Sequence, residues 1–153
     1  MGEVNSFCID HDKLEKGVYI YRKDGDVITY DVRMKKPNGG DYLSNGAIHT
    51  FEHLLSTVAR GSRFGDAVLY VGPMGCRTGF FFLLRDSVSR ADTLSLIREA
   101  FAFVKNFEGT IPGSRREECG NYAEHDLSEA KAVAEDMLAV LADWTEEKTA
   151  YPQ

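Results

Sequence analysis

Along the chain, Ala47, Ile48, Phe51, Leu54, Leu55 and Val58 recur at the i, i+3, i+4, i+7 spacing of a helix buried along one side. The spacing predicts an amphipathic helix over Asn45 to Arg60. An advance of about 100° per residue puts His49, Glu52 and His53 together on its opposite face, within an arc of about 100°. A second pattern has period two. Ile28, Tyr30, Val32 and Met34 alternate with Thr29, Asp31 and Arg33, so Val27 to Met34 reads as a strand with one buried face and Arg33 pointing away from it. Asp24-Gly25 is a tight-turn signal that joins this strand to Val18–Arg22 as a hairpin. Residues 3–10, with Phe7 and Ile9 on one side, read as a further short strand.

Pro37-Asn38-Gly39-Gly40 opens a loop before the helix, and residues 61–66 form a polar break after it. Val68–Val71 reads as a strand. Phe80–Leu84 is almost wholly apolar and suits a central strand. The turn between them presents Cys76 at its tip. Ser89 caps a second helix with Asp92 as its partner, and Leu94, Ile97, Phe101, Val104 and Phe107 keep helical spacing until Gly109 and Pro112. A last helix starts near Asp126, with Glu129 three residues on; Ala130, Val133, Met137, Leu138, Leu141 and Trp144 line its core face. Strands and helices do not alternate strictly. The class is therefore α+β: one mainly antiparallel sheet covered by helices, in a single domain over residues 1–153.

Composition narrows the function. A net charge of -6 argues against nucleic acid or an anionic membrane as partner. No apolar run approaches the roughly 20 residues of a membrane helix. The N-terminus lacks a basic region followed by an apolar stretch, which argues against a secretory signal. Met1-Gly2 with Ser6 fits an N-myristoylation pattern only superficially, because no second membrane signal lies nearby. The 3 cysteines have no paired spacing, which suits a reducing cytoplasm.

The chemistry concentrates on the first helix. His49-Thr50-Phe51-Glu52-His53 is H-x-x-E-H, the inverted form of the zinc-protease motif. Imidazoles one turn apart can grip one divalent metal, and the carboxylate beside them can move protons. The bland alternative is a polar helix face. Against it, 2 of the 4 histidines fall in this turn, and the helix needs neither for its core. Cys119, in a Gly-adjacent loop before the last helix, is the best third ligand, although Cys8 and Cys119 also suit small buried positions. Cys76, beside Arg77 in a glycine-rich turn, suits an accessible thiolate acting as nucleophile or base; an inert turn cysteine is the other reading. Ser6 and His11 are weak signals alone. His125 reads as a cap-region residue, and Arg115–Glu118 as solvated surface.

Together these motifs resemble the S-ribosylhomocysteine lyase (LuxS) family. Four stretches carry the match: S-F-x-x-D-H at Ser6–His11, R-x-x-x-P-N at Arg33–Asn38, I-H-T-F-E-H-L at Ile48–Leu54, and G-P-M-G-C-R-T-G at Gly72–Gly79. E-C-G-N-Y at Glu118–Tyr122, followed by H-D-L, extends it to the last helix. The resemblance implies a metal held by His49, His53 and Cys119, natively Fe²⁺ with Zn²⁺ or Co²⁺ as replacements. It implies cleavage of S-ribosylhomocysteine to homocysteine and 4,5-dihydroxy-2,3-pentanedione, the autoinducer-2 precursor. By the same analogy Cys76 and Glu52 are the acid/base groups that move the sugar carbonyl before β-elimination. Ser6, His11 and Arg33 then help form the substrate pocket, in a homodimer with sites at the interface.

Two positions depart from some members. Tyr70 stands where those have an acid, and Lys35 where those have a cysteine. Two rivals share the helix motif. One is an inverted-zincin peptidase, a fold that resembles LuxS proteins and uses a downstream Glu as third ligand, for which Glu117 and Glu118 are available. The other is a non-catalytic module with a closed, structural metal.

Overall fold

A computed structural model describes residues 5–153, with side chains from residue 7 onward; the Ser6 side chain and Met1-Gly2 lie outside the described residues. Among the described residues four strands form one sheet: β1 (Gly17–Asp24), β2 (Val27–Arg33), β3 (Val68–Pro73) and β4 (Gly79–Arg85). Their order is β1-β2-β4-β3, and every neighbouring pair is antiparallel. β4 is therefore internal, as its apolar run predicts. Gly25 makes the β1–β2 turn with φ of 61°, a left-handed conformation that favours glycine.

Three α-helices lie among the described residues: α1 (Asn45–Gly61), α2 (Arg90–Asn106) and α3 (Leu127–Leu141). Each starts where a capping side chain accepts a backbone N–H: Ser44 from Ala47, Ser89 from Asp92, and Asp126 from Glu129. The helices bury one sheet face. Tyr30 and Val32 of β2 and Phe80 and Phe82 of β4 meet Phe51, Leu54 and Leu55 of α1, with Phe101 of α2 and Met137 of α3 in the same core. Phe51 sets its ring edge-on to both Phe80 and Phe101, each at 6.1 Å between centroids.

Three expectations are corrected. Of the expected strand over residues 3–10, the described part holds instead a 3₁₀ turn, Asn5–Cys8, and Cys8 is exposed rather than a small core residue. Trp144 lies beyond the end of α3; its indole N–H donates to the Val18 carbonyl at 2.9 Å and its ring meets Tyr19 edge-on. The far face of β2 is not open. Asp31 and Arg33 point away from the helices, as the alternation predicts, yet are 0% and 3% exposed. The chain's last residues cover them, with Tyr151 stacked on Tyr19 at 5.1 Å.

Candidate active site

The predicted residues gather into two groups. The first sits on the outer face of α1. His49 and His53, one turn apart, bring their Nε2 atoms to 3.0 Å. The loop before α3 brings Cys119 Sγ to 3.3 Å from His49 Nε2 and 3.8 Å from His53 Nε2. Both Nδ1 atoms lie against main-chain oxygens: His49 against Glu124 O at 2.7 Å, His53 against Pro112 O at 2.8 Å. A carbonyl can only accept, so each Nδ1 carries the proton and each Nε2 presents a lone pair. Two lone pairs facing each other at 3.0 Å repel unless a cation lies between them.

The spacing fits one. Tetrahedral ligands at about 2.05 Å for nitrogen and about 2.3 Å for sulfur stand about 3.3 Å (N to N) and about 3.6 Å (N to S) apart. Two carbonyls that orient the imidazoles through Nδ1 are the usual outer partners of such ligands. Glu52 is exposed on the same face and, with His53, lines a cavity of about 300 Å³.

His125 joins this group, which its sequence position before the Asp126 cap did not reveal. His49, His53 and His125 bring ligating nitrogens within 4.8 Å of one another, a group able to hold a metal ion. Its ring lies nearly parallel on that of His49, at 4.2 Å and 12°. A metal sits in the plane of an imidazole that binds it, and two parallel rings offer no shared point in both planes. Cys119 meets both Nε2 atoms without that obstacle. His125 Nδ1 is paired with Thr50 Oγ1 at 3.0 Å, while its Nε2 is buried without a partner. Burial, then the charges of His49 and His53, holds His125 below the usual imidazole range. The one sequence signal was an extra histidine in a chain with 4.

The second group surrounds Cys76 at the tip of the β3–β4 turn, where Arg77 adopts φ of 62°. Cys76 is exposed, and its Sγ lies 3.1 Å from Thr78 Oγ1 and 3.8 Å from an Arg33 guanidinium nitrogen. Cys76, Arg33, His11 and Phe7 line a cavity of about 410 Å³. His11 keeps a local bond, Nδ1 to Ile9 O at 2.8 Å, and is half-buried beside Cys76. The Arg115–Glu118 stretch is exposed, with Glu117 and Glu118 both turned to Arg115.

These groups occupy opposite sides of the sheet. Arg33 belongs to the β2 face turned away from the helices, whereas the histidines are on the solvent side of α1, beyond the core. The sheet and the width of α1, about 10 Å with side chains, separate them.

Comparison with known proteins gives one answer. Residues 4–148 match the family model described as S-Ribosylhomocysteinase (LuxS). A protein of Borreliella afzelii named S-ribosylhomocysteine lyase is 41% identical, with 99% of this chain and 100% of the relative covered. Proteins of the same name from Phocaeicola vulgatus and Porphyromonas gingivalis are each 42% identical, with 99% of this chain and 98% and 99% of those relatives covered. With the fold, the facing histidines and near-complete coverage in agreement, the chain belongs to the S-ribosylhomocysteinase (LuxS) family.

Proposed function

We propose that this chain cleaves the thioether of S-ribosylhomocysteine, releasing homocysteine and 4,5-dihydroxy-2,3-pentanedione, the autoinducer-2 precursor. The observation that carries the reading is the pair of lone-pair-bearing Nε2 atoms 3.0 Å apart, with a thiol beside them and a free carboxylate on the same face. His49, His53 and Cys119 are the metal ligands in this reading, with Fe²⁺ as the native ion and Zn²⁺ or Co²⁺ as substitutes. The bound ion supplies Lewis acidity toward the oxygens of the open-chain sugar.

The chain's own residues supply the proton transfers. An unassisted thioether is a poor leaving group, but a carbonyl two carbons from the C–S bond makes the intervening C–H acidic. Cys76 and Glu52 move protons between carbon and oxygen, carrying the carbonyl from C1 to C2 and then to C3. A base then takes the C4 proton, the electron pair forms the C4–C5 double bond, and the C5–S bond breaks to release homocysteine thiolate. Protonation of that thiolate balances the step. Arg33 and His11 help form the substrate pocket beside Cys76, His11 toward the hydroxyls and Arg33 from below with its guanidinium held by Asp31 and Thr78, and Ser6 joins them by analogy.

Neither group reaches the other within one chain, so a complete site needs a second copy. We infer a homodimer in which the Cys76 cavity of one protomer closes over the α1 histidines of the next, giving two equivalent sites. Residues 1–153 act as one catalytic domain in the cytoplasm; among the described residues no helix is long and apolar enough to cross a membrane. The H-x-x-E-H helix packed on an antiparallel sheet supports kinship with the inverted zincins. The peptidase reading is weaker, because Glu118 is paired with Arg115 at 2.6 Å while Cys119 sits against the histidines. A closed structural metal would not require Glu52 or an exposed Cys76.

The test is thiol release from S-ribosylhomocysteine by anaerobically purified, metal-loaded protein. Release by the unchanged protein and its loss in Cys76→Ala support the proposal. A folded, metal-replete protein that releases no thiol overturns it.

A further inference from the structure

Beneath Cys76 runs a polar chain whose further members, Asp31, Thr78 and Tyr151, have no part in the reaction above. The Asp31 carboxylate, 0% exposed, receives two bonds from Arg33, at 3.1 Å and 2.7 Å. The remaining guanidinium nitrogen donates to Thr78 Oγ1 at 2.8 Å and reaches Cys76 Sγ at 3.8 Å. Because Thr78 Oγ1 already accepts from Arg33, its own proton is free to point at Sγ, 3.1 Å away. From the other side, Tyr151 donates its phenolic proton to Asp31 Oδ2 at 2.6 Å. The relay thus runs from Tyr151 to Asp31, Arg33, Thr78 and Cys76.

We propose that Tyr151, in the chain's last three residues, is a positioning residue that acts through Asp31 on Arg33 and thereby sets the protonation and aim of Cys76. Arg33 and Tyr151 share the charge of one carboxylate. A buried carboxylate with a single partner draws the whole guanidinium toward itself. A second donor on Oδ2 takes up part of the carboxylate's charge, leaving more of Arg33's field directed at Thr78 and Cys76. The Tyr151 ring is held independently, stacked on Tyr19 at 12°, and Tyr19 in turn donates to Glu15 O at 3.0 Å. The phenol can therefore be removed without removing the ring. Other polar groups face this chain: His11 and Tyr42 around Cys76 with Arg77 over Tyr42, Tyr19 beside Asp31, and Tyr21 beside Tyr151. Among the described residues, the donors to Asp31 Oδ2 are Arg33 and Tyr151.

The inference rests on the catalytic reading of Cys76, but its test does not use turnover. Metal-loaded protein is alkylated with iodoacetamide from acid to alkaline pH, and Cys76 modification is followed by mass spectrometry. Tyr151→Phe is expected to shift the Cys76 profile to higher pH, so that alkylation at neutral pH slows about three- to tenfold while the alkaline plateau is unchanged. Asp31→Asn is expected to shift it the opposite way, because Arg33 then has Cys76 as its nearest anion. A Tyr151→Phe profile that overlays the unchanged protein overturns the inference, as do two variants that shift the same way. If Asp31→Asn fails to fold, Tyr151→Phe alone decides. Thiol release by Cys76→Ala would sink the catalytic reading and leave the alkylation result standing.

Discussion

His49 Nε2 faces His53 Nε2 at 3.0 Å, and a main-chain carbonyl holds the other nitrogen of each ring in its protonated form. The sequence motif requires only that the two rings share a helix face. The carbonyls of Glu124 and Pro112, from segments 75 and 59 residues away, fix which nitrogen each ring presents.

That arrangement predicts a metal affinity resting on Cys119 rather than on His125. With Co²⁺ as probe, the unchanged protein should show the near-ultraviolet charge-transfer band of a thiolate ligand. Cys119→Ser should lose the band and bind Co²⁺ at least about tenfold more weakly, whereas His125→Ala should keep it. A Cys119→Ala protein with undiminished metal content would favour the peptidase reading.

Placement of the two groups on opposite sides of the sheet predicts rescue between subunits. His53→Ala and Cys76→Ala should each be inactive as homodimers. Mixed after dissociation and reassociation, half the dimers are heterodimers with one intact site of two, so activity should return to about a quarter of the unchanged level. No recovery from demonstrably mixed dimers would mean that each site is built from one chain.

Alkaline pH should expose the buried tyrosines. Tyr19, Tyr30 and Tyr151 all titrate above the ordinary tyrosine range, each chiefly because burial disfavours the phenolate. Asp31 adds to the effect on Tyr19 and Tyr151. A group whose pKa is raised in the folded state stabilises fully below its unfolded value of about 10, and that contribution fades as pH climbs toward the folded value. Stability should therefore fall above about pH 10, and tyrosinate absorbance should show part of the 7 tyrosines ionising only as far-ultraviolet circular dichroism is lost. Tyr151→Phe should flatten the fall.

Gly17, which pairs with Arg33 across β1 and β2, is a packing test on the Trp144 side of the sheet. With φ of 156°, it lies under the Trp144 ring, where an added Cβ would overlap the indole. Gly17→Ala should lower the unfolding free energy by about 1–3 kcal/mol. The urea midpoint should move with an unchanged slope, and an unmoved midpoint would show that Trp144 yields freely.

Much of this protein was legible from residue order alone. Period 3.6 in α1 and period 2 in β2 are local properties, fixed by where a side chain points relative to its neighbours, and so are the caps at Ser89 and Asp126. For the same reason His49, Glu52 and His53 could be placed on one face before any fold was known. Asn5–Cys8 is a 3₁₀ turn where alternation suggests a strand, because alternation over a few residues does not distinguish the two. Tertiary structure decided whatever depends on distant segments meeting. Cys119 reaches His49 across 70 positions, His125 stacks on the same ring, and Tyr151 reaches Asp31 across 120. It also buried Arg33 and put the cysteine and the histidines on opposite sides of the sheet. Periodicity assigns a residue to a face of its own element; what covers that face is set by how the rest of the chain packs against it.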